Sequence, residues 1–261
     1  MLRAFSTAAT GMAAQQIMVD VIANNLANIN TNGFKRSQID FHDLVYETLQ
    51  EPGIEIASGI NTPGGLEIGS GVRVASTVKV FSPGDLQSTK RSLDIAIMGE
   101  GFLQVNLPNG ELRYTRDGAL QINANGELVT TTGYSIEPAI TIPIDATSID
   151  IGKDGGVNVT DSTGTLSVVG YIQLARFPNP PGLSNEGDNL LAETEASGTP
   201  TTGTPGESGF GTIQSGFLEK SNVQMVTELV NLITAQRAYE VNSRAIRAGD
   251  DMLRTANSIV R

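Results

Sequence analysis

The single histidine, His42, sets a ceiling on the chemistry open to this chain. A Ser-His-Asp relay would depend on that one imidazole, and a histidine-rich metal site is excluded. Zero cysteines remove thiolate catalysis, disulfides and cysteine-rich zinc sites as well. His42 follows Phe41 in what reads as a helix or loop, and a surface or partly packed histidine accounts for it. Gly64-Gly65 and Gly69-Ser70-Gly71 have the composition of phosphate loops. Neither Lys-Ser/Thr nor a helix start follows them, so they fail the context such loops require. Asn158-Val159-Thr160 fits a glycosylation triplet, a pattern that arises often by chance. Asp250 and Asp251 pair two carboxylates in a helical stretch without a second ligand cluster and read as a solvated face. No residue is assigned a catalytic, metal-binding or cofactor-binding role; no cofactor is expected, and the chain reads as something other than an enzyme.

A different chemistry, that of amides, is concentrated between Ala23 and Lys35, where ANNLANINTNGFK places five asparagines in thirteen positions. Asparagine is a poor interior helix former because its amide competes for backbone hydrogen bonds. Asn32 or Gly33 can take the left-handed conformation that closes a helix C-terminus. Asn24, Asn25 and Asn28 lie about one turn apart, and each amide both donates and accepts, which suits bridges to neighbouring chains.

The elements that would carry these amides have helical period at the two ends of the chain. Phe5, Met12, Val19 and Leu26 form one column by sevens, with Ala8, Gln15, Ile22 and Ile29 three residues on. This is the a/d seam of a helix that buries a narrow stripe against another. Met225, Leu232, Tyr239, Ile246, Leu253 and Val260 form the corresponding C-terminal column, with Leu229 beside it. The neighbouring small column, Ala235, Asn242, Gly249 and Ala256, would let a partner helix approach closely. No proline interrupts Ser221 to Asn257, so a helix of roughly 55 Å is allowed. The period favours pairing between chains and is also satisfied by an N/C pair within one chain.

Between the helices the chain alternates apolar and polar residues, with Asn109-Gly110, Asp117-Gly118, Asn125-Gly126 and Asp154-Gly155-Gly156 as turn signals. The expected class is α+β: a discontinuous helical coiled-coil domain, residues 1–34 with 218–261; an extended connector, 35–71, with 197–217 on the return; and a mainly antiparallel β-rich outer domain, 72–196. Glycine is abundant at 29 while aromatics are 5%, a profile rich in turns.

The net charge of −11 excludes a general nucleic-acid binder. Its distribution adds more, since residues 1–36 with 221–261 carry +3 and the middle carries −14. That split suggests ends that pack against something and a middle that faces water. No run of 18 apolar residues exists to span a membrane, and MLRAFSTAATGMAAQQ lacks the apolar stretch of a secretory signal, though its composition leaves a transit peptide open.

ANNLANINTNGFK and ELVNLITAQRAYEVNSRAI resemble the linked N- and C-terminal signatures of the axial proteins of the bacterial flagellum, the rod and hook subunits. GLEIGSGVRV, LDIAIMGEGFLQV, YTRDGALQINANGELVT and EPAITIPIDATSIDIGKDG extend the resemblance across nearly the whole chain, toward the distal-rod branch. The stretch YETLQEPGIEIASGINTPGGLEIG, from Tyr46 to Gly69, carries that assignment. The resemblance implies a structural subunit whose terminal helices, through the columns above with Asn24, Asn25, Asn28 and Asn242, pack into a rigid helical homopolymer. That tube would transmit torque across the periplasm. It implies a straightening connector that includes Tyr46, Pro52, Gly53, Pro63, Gly64 and Gly65. It also implies proximal rod and hook-side axial proteins as neighbours, peptidoglycan and outer-membrane ring proteins around the shaft, and export through the type III apparatus without a cleaved signal. A proximal rod or hook subunit of the same family and a secreted β-rich surface protein or adhesin are the alternatives.

Overall fold

The structure, a computed structural model, describes residues 2–52, 55–57, 60–61 and 64–259. Gly53 and Pro63 of the expected connector lie outside the described residues. The chain forms two compact units: residues 1–26, 37–78 and 225–261 make up the first, residues 27–36 and 79–224 the second.

The first unit holds both long helices, α1 (Leu2–Ala27) and α2 (Met225–Ile259). They pair antiparallel, since Phe5 lies against Gly249 and Asn242 against Gly11. A side-chain carbon added to Gly249 would come within 2.8 Å of the Phe5 ring, so the approach depends on the small residue there. The small column of α2 is therefore the one at the centre of the pairing: Ala235 and Gly249 are buried and Asn242 half-buried. The larger column beside it stays half-buried at Leu232 and Ile246 and exposed at Met225, Tyr239 and Leu253.

In the remainder of this unit, residues of the expected extended connector form paired strands. Ser37–Asp43 pairs with Val72–Lys79, and Tyr46–Gln50 pairs antiparallel with Leu66–Gly69. Leu44 N–H donates to Gly71 O at 2.8 Å and Ser70 N–H to Val45 O at 3.2 Å, which carries the ribbon through from one pair to the next. Val72–Lys79 begins where the β-rich region is expected to begin, and the alternation of Ile39 with Phe41 marks its partner strand. His42 thus sits in an exposed strand and not in a helix or loop.

In the second unit a nine-stranded sheet is organised around Phe102–Asn106, which pairs antiparallel with Leu112–Thr115, Ser135–Glu137 and Leu174–Arg176. Successive residues point to opposite faces, and each face has its own core. Leu103, Leu120, Leu128 and Leu174 are buried on one side, where Ile151, Val157 and Val159 of a three-stranded sheet join them. On the other side Phe177 meets Phe102 and Tyr114 edge to face, with ring centroids 5.9 and 4.7 Å apart.

The hairpin signals at Asn109-Gly110, Asn125-Gly126 and Asp154-Gly155 each join strands that pair. Asp117-Gly118 does not. Gly118 instead brings its backbone against Ile95, whose N–H donates to Gly118 O at 3.0 Å, and a side-chain carbon there would collide with Ile95 O. Residues 197–217, expected as a return connector, supply Thr201–Gly203 to the large sheet and Thr212–Ser215 as partner of Ile95–Met98. Turn-rich composition describes the loops between those short strands and conceals the strands.

Candidate assembly interface

A soluble helix buries one stripe and leaves a polar face. In α2 the covered stripe is narrow, and a second stripe stands open. Val226, Val230, Ile233 and Val241 are 75%, 56%, 50% and 62% exposed, and Met225, Leu229, Tyr239, Met252 and Leu253 are exposed beside them. The heptad column picks out Met225, Tyr239 and Leu253, with Leu229 beside it, but misses Val226, Val230, Ile233 and Val241. A count by steps of three and four from Val226 finds them. On α1, Phe5, Met12, Val19 and Leu26 are half-buried and Ile17 is exposed, whereas Ala8, Ala14 and Ile22 are buried within the unit. The ribbon adds Val45, Tyr46, Leu49, Leu66 and Ile68, all exposed. Pro52 is also exposed; at Gly65 an added side-chain carbon would meet Gln50 O at 2.7 Å, while Gly64 has open space around it.

The amides divide differently from the sequence-based expectation. Asn25 is 1% exposed. Its Nδ2 donates to Ser37 O at 2.9 Å and its Oδ1 accepts from Ser37 N–H at 2.8 Å, so the side chain imitates a strand neighbour within its own chain. Both bonds are made while the amide is buried, so its described partners lie in its own chain. Asn28 Oδ1 accepts from the Thr31 hydroxyl at 3.1 Å, Ile29 is half-buried and Asn24 is exposed. Asn242 is engaged against Gly11.

Asn32 and Gly33 do not terminate α1, which ends at Ala27. Gly33 does have positive φ, +66°, for another reason: its N–H donates to Glu219 O at 2.8 Å and its backbone lies on that of Arg116 and Asp117. A side-chain carbon would come within 2.7 Å of both, and a β-carbon also disfavours that φ. Asn32 O accepts from Asn189 Nδ2 at 3.3 Å.

Next to Gly33 is a buried charge cluster that sequence reasoning did not find. Lys35 Nζ donates to Glu219 Oε1 at 2.5 Å and to Ser82 O at 2.8 Å. Glu219 Oε1 also accepts from Gly84 N–H at 2.9 Å, and Oε2 faces the Arg116 guanidinium at 3.5 Å. Arg116 donates to Gly99 O at 2.7 Å and lies over the Phe102 ring. Burial holds the Lys35 ammonium and the Arg116 guanidinium below their ordinary pKa, with the Glu219 charge opposing that in each. Among the described residues no cluster of His, Asp or Glu could hold a metal ion, and no helix is long and apolar enough to cross a membrane.

A helix pair with its seam half covered, joined to a β body complete in itself, defines a subunit of an axial assembly, and the chain belongs to the flagellar rod and hook protein family. Residues 5–35 match the family described as flagella basal body rod protein, 96–159 the flagellar hook protein FlgE/F/G D1 domain, and 214–259 the flagellar basal body rod FlgEFG protein C-terminal region. Within that family it is similar to the flagellar basal-body rod protein FlgG of Buchnera aphidicola subsp. Baizongia pistaciae, at 48% identity over 97% of this chain and 98% of that relative. FlgG of Caulobacter vibrioides is 46% identical with 99% of each chain covered, and FlgG of Borreliella burgdorferi 45% with 100% of each. The family is one of structural subunits.

Proposed function

We propose that the chain is a structural subunit of the flagellar distal rod. It assembles through its terminal helices into a rigid helical tube that transmits motor torque across the periplasm. The observation that carries this reading is the uncovered apolar stripe of α2, Val226 to Val241, beside the half-buried column of α1. Such a stripe on a monomer loses free energy to water that a neighbouring subunit would recover. Heterologous contacts of that kind propagate without closing, which is the symmetry of a filament.

The ribbon Tyr46–Gln50 with Leu66–Gly69 is the straightening connector, its exposed Tyr46, Leu49, Leu66 and Ile68 resting on neighbouring subunits. Proximal rod and hook-side axial proteins cap the two ends of the tube, and peptidoglycan and outer-membrane ring proteins surround it. The subunit leaves the cytoplasm through the flagellar type III apparatus without a cleaved signal.

Because each helix buries little within the chain, α1 and α2 order fully on a growing tip and are mobile in dilute monomer. Limited proteolysis of the monomer should then remove both helices first and leave the β body. Electron microscopy of concentrated protein should show straight tubes. A chain that stays monomeric at high concentration, with both ends resistant to protease, would overturn the proposal in favour of a surface protein or adhesin.

A further inference from the structure

The chain enters or leaves the second unit at four points, next to Ala27, Arg36, Lys79 and Gln224, and residues at the last three are fastened to one another. Arg36 N–H donates to Asn222 Oδ1 at 2.8 Å, and Arg36 O accepts from Val80 N–H at 3.0 Å. Asn222 Nδ2 closes the triangle by donating to Val80 O at 2.8 Å. One amide thus holds three segments that are far apart in sequence. A short distance along the same segments, the Lys35–Glu219 pair joins the first to the third, and Lys35 to Ser82 joins the first to the second. Lys79 Nζ donates to Lys35 O at 3.2 Å and stands 4.5 Å over the Phe34 ring.

Fastening of this kind is chemically expensive, because a buried ion pair contributes little net stability while removal of one partner is strongly destabilising. Buried charge is better suited to fixing one arrangement of chain than to holding a core together. The β body already has two apolar cores that include none of these residues.

We infer that Lys35, Glu219, Arg116 and Asn222 form a clasp that orders residues 28–36 and 217–224 on the β body in the free monomer. From that clasp the chain departs toward both terminal helices from fixed points; these are positioning residues for assembly. The inference deepens the proposal that assembly runs through α1 and α2, and it carries its own readout. In the monomer the ordered body begins near Asn28 and ends near Gln224, so it includes the nine residues 28–36 that precede Ser37.

The test is amide hydrogen exchange on the full-length monomer and on the Lys35→Met and Asn222→Ala variants, followed by seeded elongation. In the parent the amides of Gly33, Arg36, Val80 and Gly84 should exchange as slowly as sheet amides in 102–106 and 112–115. Each variant should accelerate the first set by about 100-fold or more while leaving the sheet amides unchanged, the signature of local opening. Elongation from parent seeds should slow in both variants. Asn222→Ala removes hydrogen bonds without stranding a buried charge, so it answers the question even where Lys35→Met fails to fold. Fast exchange of these amides in the parent, equal acceleration of the sheet amides, or unchanged elongation after local opening would each overturn the inference. Slow exchange in the parent with local acceleration in the variants leaves the clasp standing even in a protein that forms no tube at all. That result separates its fate from that of the proposed function.

Discussion

The two units treat apolar residues in opposite ways. In the β body Leu103, Leu120, Leu128, Ile136, Ile172 and Leu174 are completely buried, and the aromatic cluster around Phe177 closes the other face. In the helical unit the buried apolar residues among those described are Ala8, Ala14, Ile22 and Ala235, one large side chain among three alanines, while valines and isoleucines along α2 and the ribbon stand in water. The first unit thus leaves much of its own apolar surface uncovered. The β body is not free of exposed apolar groups, since Leu166, Val168 and Tyr171 line the edge strand of the three-stranded sheet. The charge split suggests a middle that faces water, and these three are apolar groups on that part of the chain. The same sheet carries Asp150, Asn158 and Thr160 opposite, which keeps the apolar part to one strand. The comparison teaches that the β body is complete in itself while the helical unit is not, so stability and the proposed assembly should respond to different substitutions.

The sharpest way to break the comparison is a charge in the open stripe. Val230→Asp places a carboxylate that the monomer leaves in water, so far-ultraviolet circular dichroism and thermal unfolding of the monomer should not change. Inside a polymer the same group is buried and unpaired, at a cost of about 3–5 kcal/mol per contact, and tube formation should stop. Ile246→Asp, at a half-buried position, should do the same without altering the unfolding of the β body. Normal assembly of Val230→Asp would remove that face from the interface.

Leu103→Ala makes the reciprocal prediction. It deletes a completely buried side chain and should destabilise the β body by about 2–5 kcal/mol. The critical concentration for assembly should move little as long as the body remains folded. If assembly fell in step with unfolding, the separation between the units would be false.

A smaller effect is expected from deletion of residues 51–62. Tyr46–Gln50 and Leu66–Gly69 remain to pair across Pro63-Gly64-Gly65, so the base of the ribbon survives and its far end is lost. Polymers should still form, but curved or more flexible, measured as persistence length by electron microscopy. Straight, stiff tubes would count against a straightening role for this segment.

The smallest effect concerns Asp117, beside the clasp. Burial raises its pKa above the usual carboxylate value, and the charge of Asp94 adds to that; hydrogen bonds from Ala119 N–H and Asn189 oppose it. A carboxyl with a raised folded pKa contributes a stability advantage that is complete below the unfolded pKa and is lost as pH rises through the folded one. Asp117→Asn should therefore raise the unfolding midpoint slightly at neutral pH, and the gain should vanish in mildly acid solution, where the parent carboxyl is itself protonated. An equal gain at both pH values would point to packing and not to ionisation.

How much of this was legible beforehand varied with the distance over which each interaction acts. Helix period is local, and α1 and α2 fall where Phe5 to Leu26 and Met225 to Leu253 place them. Hairpin chemistry is local too, and the Asn-Gly pairs mark true turns. Asp117-Gly118 has the same letters but meets Ile95, more than twenty residues away, and its conformation follows that contact. The second stripe of α2 was present in the spacing of Val226, Val230 and Ile233 and was obscured by the stronger heptad column beside it.

What the sequence by itself determined was the α+β class, the two helices, the antiparallel middle and the family, because each rests on residues close together or on whole-chain similarity. What only the tertiary structure decided was the use of the polar residues between those elements. Asn25 finds Ser37 twelve positions on, and Lys35 finds Glu219 at a separation of 184. Asn24 and Asn25 are the same residue at adjacent positions, yet one is exposed and the other is buried on a strand. An amide or an ammonium can satisfy its hydrogen bonds in water, in its own chain or in another, and only the path of the backbone selects among them.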